Sequence, residues 1–418
     1  MATVYLISTA VFQIPFARVA DLVGRKKIFL LGLLVFSLFS GLCGFASNEN
    51  MLISFRFLSG IGSAMMFGTN IAIITSLFPV EIRGKALGIN TAVVYAAMAA
   101  GPFLGGMLTQ YLGWQSIFFT SSGIGILLFI LSFFILKKEW VESRNEKFDI
   151  VGSILYGIGI ASVIYGFSSL TRIEGIVSLI AGTGVFVGFI FFEKRQASPV
   201  FNVRLFSGNK VFTLSSLAAL INYAATAAIA FMLSLYLQYV RGLEVSQAGL
   251  ILIVQACVQS IFSLIAGNLT MRYSSDKLAT AGMSLIVVVL IGLVFLSQTT
   301  PYWILVCLLV LLGIGFGIFS SPNTNVIMGS VDKKHYTQAS ATTGTMRLTG
   351  QAFSMGIAGM AISFYIGDNK IIPELHTDFM QSMQMIFIIF VVLCIIGVYA
   401  STARIKKKQD NRNTAHTV

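Results

Sequence analysis

The sequence predicts an all-α membrane protein, a polytopic bundle of about thirteen transmembrane helices. Of its 418 residues, 56% are hydrophobic and only 11% are charged, whereas a soluble domain carries about 25% charged residues. Apolar runs of about 20 residues, enough to cross a bilayer as a helix, recur along the whole chain. These runs are continuous and do not alternate with polar residues, as the strands of a transmembrane barrel would.

Thirteen apolar runs are long enough to be candidate spans, and short polar gaps separate them. They lie near 1–17, 28–46, 51–78, 86–108, 114–136, 150–170, 175–192, 211–239, 247–271, 278–298, 302–328, 338–366 and 380–402.

Basic residues are concentrated in every second gap, from residues 18–27 to the C-terminal tail. These gaps hold 23 of the 28 Lys and Arg, and the intervening gaps hold only Arg172, Arg241 and Lys370. Because cytoplasmic loops are enriched in Lys and Arg, we expect the C-terminus inside the cell and the N-terminus outside. The net charge of +12 then reflects orientation in the plasma membrane and not nucleic-acid binding. The basic residues follow the first apolar run, so we do not expect a cleaved signal peptide.

The longest basic gaps divide the chain into blocks. We expect an N-terminal bundle over 1–136, a linker with two extra transmembrane helices over 137–210, a six-helix bundle over 211–402 and a basic cytoplasmic tail over 403–418. A faint repeat relates residues 17–26 to 267–276, which favours two pseudo-symmetric bundles of the kind that many transporters have.

Residues that commonly carry enzyme chemistry are scattered. The four cysteines are isolated within apolar runs, and the three histidines lie in gaps, so we expect neither a metal site nor disulfides. No Walker-type phosphate loop occurs, and no other cofactor motif is present. All sixteen Asp and Glu lie in gaps or at span ends. A polytopic membrane enzyme would need a cluster of such groups at one membrane face and is not expected.

Polar residues inside the apolar runs are candidates for contact with a substrate or coupling ion. A cation within the membrane is costly and usually functional. Arg56 could alternatively extend its side chain to the outer membrane surface. Arg347 could alternatively bind a backbone carbonyl at a broken helix. Amide side chains there can equally hydrogen-bond between helices. The candidates are Arg56, Asn70, Asn222, Tyr223, Gln255, Gln259, Asn323, Asn325 and Arg347.

Two short motifs predict special backbone geometry. In the loop "ARVADLVGRKK" (17–27), Gly24 permits a tight reversal, Arg25 and Lys26 anchor the cytoplasmic end, and Asp21 can meet a basic partner or a helix N-terminus. The second motif is "GPFLGG" (101–106), where small residues let helices approach closely and a proline bends the helix. Its key residues are Gly101, Pro102, Gly105 and Gly106.

Five stretches together resemble one known family. They are the two motifs above, "RFLSGIGSAMMFGTN" (56–70), "SLYLQYVRGLEVSQAGL" (234–250) and "GIGFGIFSSPNTNVIMGSV" (315–331). The chain is similar along its whole length to the 14-helix drug:proton antiporters (EmrB/QacA type) of the major facilitator superfamily, although Ala17 stands where that family usually has Gly. It begins at the family's second helix, so the first is expected to be absent.

This resemblance implies a monomeric, proton-coupled exporter of small amphipathic compounds. In the family, the loop that corresponds to residues 17–27 latches the cytoplasmic side. The seam that corresponds to "GPFLGG" seals the cavity of exporters. The resemblance also implies a role for Arg56 in proton coupling or substrate contact. An uptake carrier and a truncated, non-transporting product are the alternatives. Since no carboxylate is mid-membrane while Arg56 and Arg347 are, we expect neutral or anionic substrates to be preferred over dications.

Overall fold

The computed structural model describes residues 2–143, 146–367 and 371–415, and these residues contain helices and no strand. The helices are α1 (Ala2–Val23), α2 (Arg25–Gly44), α3 (Glu49–Leu77), α4 (Val80–Leu112), α5 (Gln115–Ile135), α6 (Ile150–Ser168), α7 (Ile173–Glu193), α8 (Arg204–Gly208), α9 (Lys210–Thr226), α10 (Ile229–Leu235), α11 (Val245–Leu269), α12 (Ser275–Val294), α13 (Tyr302–Gly329), α14 (Tyr336–Ile366) and α15 (His376–Ala415). A π-helical turn, Tyr236–Val240, continues α10, and short 3₁₀ turns lie at Lys333–His335 and Pro373–Leu375.

The all-helical membrane fold predicted from the sequence is confirmed. Within the described residues, eleven helices are long and apolar enough to cross a membrane, and α9, α10 and the π turn form one of them. A twelfth is α4, which bends by 41° between Val80–Gly101 and Leu104–Leu112. The thirteenth predicted span corresponds to α14, a 31-residue helix. Its Thr, Ser and Gln residues keep its mean hydropathy below that of an ordinary span. These polar residues are tolerated because much of the helix faces the protein interior and not lipid.

Polar side chains at several gaps begin the helices that follow them. The first N–H groups of a helix lack intrahelical partners, and an Asn or Asp at the N-cap can accept from them. Asn48 accepts from Met51 N at 2.8 Å at the start of α3, and Asp149 accepts from Gly152 N at 2.8 Å at the start of α6. The short gaps therefore carry the helix-start signals as well as charge.

The helices form an N-terminal group, α1–α5, and a C-terminal group, α9–α15. Within the first, α3 packs on α1 and α2, and α2 packs on α5; within the second, α13 packs on α11 and α12, and α9 packs on α14 and α15. The two groups meet where α4 packs on α11 and where α14 packs on α1 and α3. At the α4–α11 contact a Cβ on Gly88 would lie 2.7 Å from the Gly267 Cα, so both glycines are needed for this close approach.

The paired helices α6 and α7 lie beside the junction of the two groups. They pack on each other, and α6 also contacts α1 and α14. The buried Tyr156 of α6 donates to the Ala10 carbonyl oxygen of α1 at 3.0 Å and lies 3.2 Å from Thr345 Oγ1 of α14. The linker pair is thus joined to a helix from each group.

Candidate functional site

A central cavity lies between the two helix groups. Its volume is about 80 Å³, and α1, α3 and α4 line one side while α9, α13 and α14 line the other. Such a site at the junction of two helix groups is a common position for a small-molecule pocket. The lining residues are Gln13, Phe67, Asn70, Ile71, Asn90, Thr91, Val94, Tyr95, Tyr223, Ser320, Thr324, Ser340, Thr343, Gly344 and Arg347.

Three of the predicted substrate residues meet in this cavity: Asn70, Tyr223 and Arg347. Asn70 donates from Nδ2 to Asn90 Oδ1 at 3.1 Å. None of the lining residues is acidic, and Arg347 makes no ion pair with any carboxylate in the described part of the chain. Helix α14 runs unbroken past Arg347, so this guanidinium supplies positive charge to a cavity that is otherwise neutral.

Gln13, Asn90 and Tyr95 line the cavity but are absent from the predicted set. Gln13 is fully buried, and neither atom of its amide has a hydrogen-bond partner. Tyr95 lies 3.4 Å from Ser320 Oγ of the opposite group. A lone amide in the apolar run "VFQIP" was the sequence signal that could have identified Gln13. The cavity therefore offers an unpaired donor and acceptor for a ligand.

The other predicted substrate residues do not line the described cavity. Arg56 lies at the other end of α3 from the α1–α2 loop, with its guanidinium 5.4 Å from the Tyr5 ring centre and 4.8 Å from that of Phe118. Asn222 is buried beside Tyr223, and its Nδ2 has no partner. The remaining four residues belong to the C-terminal group: Gln255 and Gln259 on α11, and Asn323 and Asn325 on α13.

The α1–α2 loop forms a charged latch across the two helix groups, at what we call the basic end of the bundle. Arg25 is fully buried and lies 3.1 Å from the equally buried Asp21. Its Nε donates to Thr337 Oγ1 of α14 at 2.6 Å, and its Nη2 donates to the Lys333 carbonyl oxygen at 3.0 Å. The Thr337 hydroxyl also donates to Asp21. The two buried charges are compensated by partners from both groups, and the Glu142 carboxylate of the α5–α6 segment lies 3.8 Å from Arg25 Nη1.

The segment between α5 and α6 covers this latch. We call its residues 137–143 and 146–148 the strap. The Glu139 carboxylate accepts from Lys26 N at 2.9 Å and Lys27 N at 3.2 Å. Gly24 has φ +131°, and a Cβ there would lie 2.5 Å from Glu139 Cδ. Only glycine fits this position, for its backbone conformation and for space.

A second buried cation at the basic end stays within the C-terminal group. Arg404 of α15 donates from Nη1 to Asn323 Oδ1 at 2.6 Å and to Ser215 Oγ at 3.0 Å, and from Nη2 to the Asp276 carbonyl oxygen at 3.2 Å. These partners lie on α13, α9 and α12. Asn323 also donates to the Ser215 carbonyl oxygen at 3.1 Å. We call this set the Arg404 clasp, and it gives Asn323 a structural partner.

The "GPFLGG" stretch lies where α4 bends, on a face without helical neighbours. A Cβ on Gly101, Gly105 or Gly106 would have nothing within 4 Å, whereas the earlier Gly88 on the same helix is tightly packed. Nothing is described for the side chain of Pro102, but its position coincides with the 41° bend. The close packing predicted for this seam is therefore not made by the described helices.

Comparisons with known proteins agree with this architecture. The family model described as Major Facilitator Superfamily matches residues 1–355 and 215–416. The human organic anion transporter MFSD10 has a TM-score of 0.69 at 14% identity, over 94% of this chain and 82% of its own. The proton:xylose symporter XylE has a TM-score of 0.67 at 12% identity, over 95% and 83%. These likenesses show the fold.

Curated relatives share more of the sequence. The methylenomycin A resistance protein of Bacillus subtilis is 30% identical over 86% of this chain and 78% of its own. The riboflavin transporter RibZ of Clostridioides difficile is 28% identical over the same shares, and the multidrug resistance protein Stp of Mycobacterium tuberculosis is 27% identical over 87% and 68%. The chain is a multi-pass membrane transporter and not an enzyme, and it belongs to the Major Facilitator Superfamily.

Proposed function

We propose that the chain exports small neutral or anionic amphipathic compounds in exchange for protons, and that the substrate binds in the central cavity. The observation that carries this proposal is the cavity's polarity: Arg347 is present without a carboxylate, beside the unpaired Gln13 amide. A dicationic substrate would have to lose its hydration there without an anion to offset the cost. Relatives named for resistance to methylenomycin A and to multiple drugs support export.

Uptake is the second candidate, because one relative is named as a riboflavin transporter and not as a resistance protein. The same cavity could hold a planar heteroaromatic compound through Tyr95, Tyr223 and the amides. The "GPFLGG" seam favours export, as it does in the antiporter branch that the sequence resembles.

Orientation is part of the proposal. Because the Lys and Arg are concentrated at one end, we place the basic end and the C-terminus in the cytoplasm. We propose the plasma membrane as the location and a monomer as the assembly. Single-cysteine labelling after removal of the four native cysteines tests this placement: Glu174 should react from outside and Lys138 only from inside. Labelling of position 138 from outside would reverse it.

The 14-helix branch is also proposed, with a further helix against α4. The bare glycine face of α4 and the greater length of the curated relatives support it. Adding such a helix with an acidic residue should confer transport of cations. Replacing Gly105 with Leu should then impair efflux only in the lengthened form, and equal impairment in both forms would contradict a role in packing that helix.

The substrate proposal is tested by replacing the cavity's cation. In a pump-deficient host, Arg347→Gln should reduce export of an anionic amphiphile by about tenfold, the loss of one charge-assisted contact of about 1.5 kcal/mol, and should affect a neutral dye less. Arg172→Gln, which changes an exposed arginine in a gap, is the matched control. Accumulation of dyes in everted vesicles under an imposed pH gradient separates export from uptake.

Strong dication export by the unaltered chain, or an Arg347→Gln variant that retains its anion export, would overturn the substrate assignment. Absence of any transport by well-folded protein would favour the truncated, non-transporting alternative.

A further inference from the structure

We propose that Asp149 and Glu193, at the basic ends of the linker helices α6 and α7, form a proton-binding site that controls the charged latch. The proposal rests on the proposed proton-coupled transport, for which it names a titrating pair. It stands on the position of the two carboxylates and on the buried arginine, Arg18, whose charge acts on Glu193.

The two carboxylates lie side by side in the protein. A Cβ on Gly152 would collide with both Glu193 Oε1 and Asp149 Oδ2, so these oxygens are within about 5 Å of each other, a distance at which like charges disfavour joint ionisation. Glu193 is 2% exposed. Burial and proximity together favour one proton shared by the pair, as in other carboxylate dyads.

The oxygens that face each other are unpaired. Asp149 uses Oδ1 to cap α6, and its Oδ2 is buried without a partner. The backbone N–H groups of Val200 and Phe201 point at the Glu193 carboxylate, yet neither of its oxygens makes a hydrogen bond of normal geometry. A proton bound by either oxygen would remove one of the two negative charges at the site.

Arg18 connects this pair to the latch. It is 3% exposed and lies on α1, one turn before Asp21. Its Nη2 donates to Glu146 of the strap at 2.5 Å, while its Nε is buried without a partner. Arg18 also acts electrostatically on Glu193. One guanidinium therefore binds a strap carboxylate and also acts on Glu193, with one donor unused.

Other charged groups near Arg18 are Asp21, one turn later on α1, and residues of the strap and of the segment before α14. Glu146 of the strap accepts from Arg18, and His335 of the 3₁₀ turn interacts electrostatically with both Arg18 and Glu146. Burial lowers the pKa of His335, so this imidazole is neutral near pH 7, and Arg18 is the cation whose charge acts on Glu193. The positive charge of Arg18 also opposes occupation of the site by a metal cation.

The proton then controls Arg18. With the pair protonated, Arg18 remains on Glu146 and the strap covers the latch. Loss of the proton leaves two negative charges, which attract Arg18 away from Glu146 and release the strap from the Asp21–Arg25 pair. Proton release at the basic end would in this way favour opening of that end. The only transferred species is a proton, which leaves a carboxyl group for water.

Infrared difference spectroscopy of the purified protein between pH 5 and 8 tests the site without any transport assay. We expect a protonated-carboxyl band that disappears as pH rises, and that is absent in Glu193→Gln and in Asp149→Asn, whose amide retains the α6 cap. Glu174→Gln, at the other end of α7 and exposed, should keep the band. A band that persists in both pair variants would overturn the proposal, and so would the absence of any titration in the unaltered protein.

A distance measurement tests the link to the latch. In a cysteine-free background, spin labels at Lys27 and Lys334, both exposed, should separate as pH rises, and Glu193→Gln should keep the short distance at every pH. Adding Na⁺ or Mg²⁺ at fixed pH should change nothing, and a cation-dependent change would overturn the assignment to a proton. If the band titrates and the variants behave as stated while export is absent, the proton site stands and the proposed function fails.

Discussion

Two of the buried arginines at the basic end, Arg25 and Arg404, have different kinds of partner. Arg25 is held by Asp21 on its own side and by Thr337 and Lys333 of the other helix group, more than 300 positions away in the chain. Among the described residues, Arg404 bonds only to the C-terminal group, through Ser215, Asn323 and the Asp276 backbone. Both cations are desolvated, but only the first joins the two groups.

This difference distinguishes a gate from a structural support. A transporter that opens alternately to its two sides must break the contacts between its groups at one end and keep the contacts within each group. The Arg25 network therefore has to break in each cycle, whereas the Arg404 clasp can remain intact. We infer that substitutions in the first change transport and the gate equilibrium, and that substitutions in the second change mainly stability.

Breaking the latch should have the largest effect. Arg25→Met leaves Asp21 buried without its cation, which should destabilise the state with the latch closed by about 3–5 kcal/mol. The substitution should therefore nearly abolish transport. The double variant Asp21→Asn with Arg25→Met removes the unpaired charge and should recover much of the stability without recovering transport. Thermal unfolding and transport per folded molecule are the two measurements. Normal transport by the single variant would remove the distinction between the two networks.

Removing the clasp should affect folding and not gating. Arg404→Met removes the donor that the Asn323 and Ser215 side chains accept from. Each buried group left unsatisfied should destabilise the folded state by about 1–3 kcal/mol. We expect a lower midpoint of thermal unfolding and unchanged transport per folded molecule. If its stability were unchanged while its transport fell, the clasp would be a second gate.

A moderate effect is expected at the loop glycine. Gly24→Ala introduces a side chain at φ +131° against Glu139, so the loop must relax or the strap must move, at about 1–3 kcal/mol. Trp140 in the strap is 7% exposed, and its fluorescence should become more accessible to iodide when Trp114 and Trp303 are replaced by Phe. A variant with Trp140 as protected as before would show that the strap does not depend on this contact.

The smallest effect concerns the strap's ion pair. The hydrogen bond from Arg18 holds the pKa of Glu146 below its usual value. The stability that this pair contributes is therefore fully present above the pKa of Glu146 in the unfolded chain, about 4.3. It is lost as the pH falls through the pKa of Glu146 in the folded protein. Glu146 is partly exposed, so the pair contributes up to about 1 kcal/mol. In Glu146→Gln, Trp140 should be slightly less protected from iodide at pH 7 than in the unaltered protein. Acidification should then cause no further loss of that protection. An unchanged acid response in Glu146→Gln would assign that response to another group.

The sequence was sufficient for the fold class because the relevant signals are local. Apolar length sets each helix, and residues such as Asn48 and Asp149 begin the helices where the gaps end. Polarity alone likewise drew attention to Asn70 and Arg347, which line the cavity. The predicted span 338–366 corresponds to α14, although this interior helix is too polar to meet a hydropathy criterion.

The rest of the site depends on which faces of distant helices meet. Nothing in the sequence near Asn323 shows that Arg404, 81 positions later, will occupy its side chain. Gln13 carries no signal beyond being polar in an apolar run, and only the arrangement of α1, α4 and α14 places it in the cavity. The Asp149–Glu193 pair is similar, since both residues lie at helix ends where carboxylates are ordinarily solvated.

The most direct test of the central claim compares two label distances in one protein during transport. One pair, at Lys27 and Lys334, crosses from the N-terminal to the C-terminal group beside the latch, and the other, at Lys277 and Thr402, lies within the C-terminal group beside the clasp. Double electron–electron resonance with and without substrate should show the first distance becoming bimodal and the second remaining single. Movement of the second pair, or a first pair that never separates in an actively transporting protein, would contradict the account.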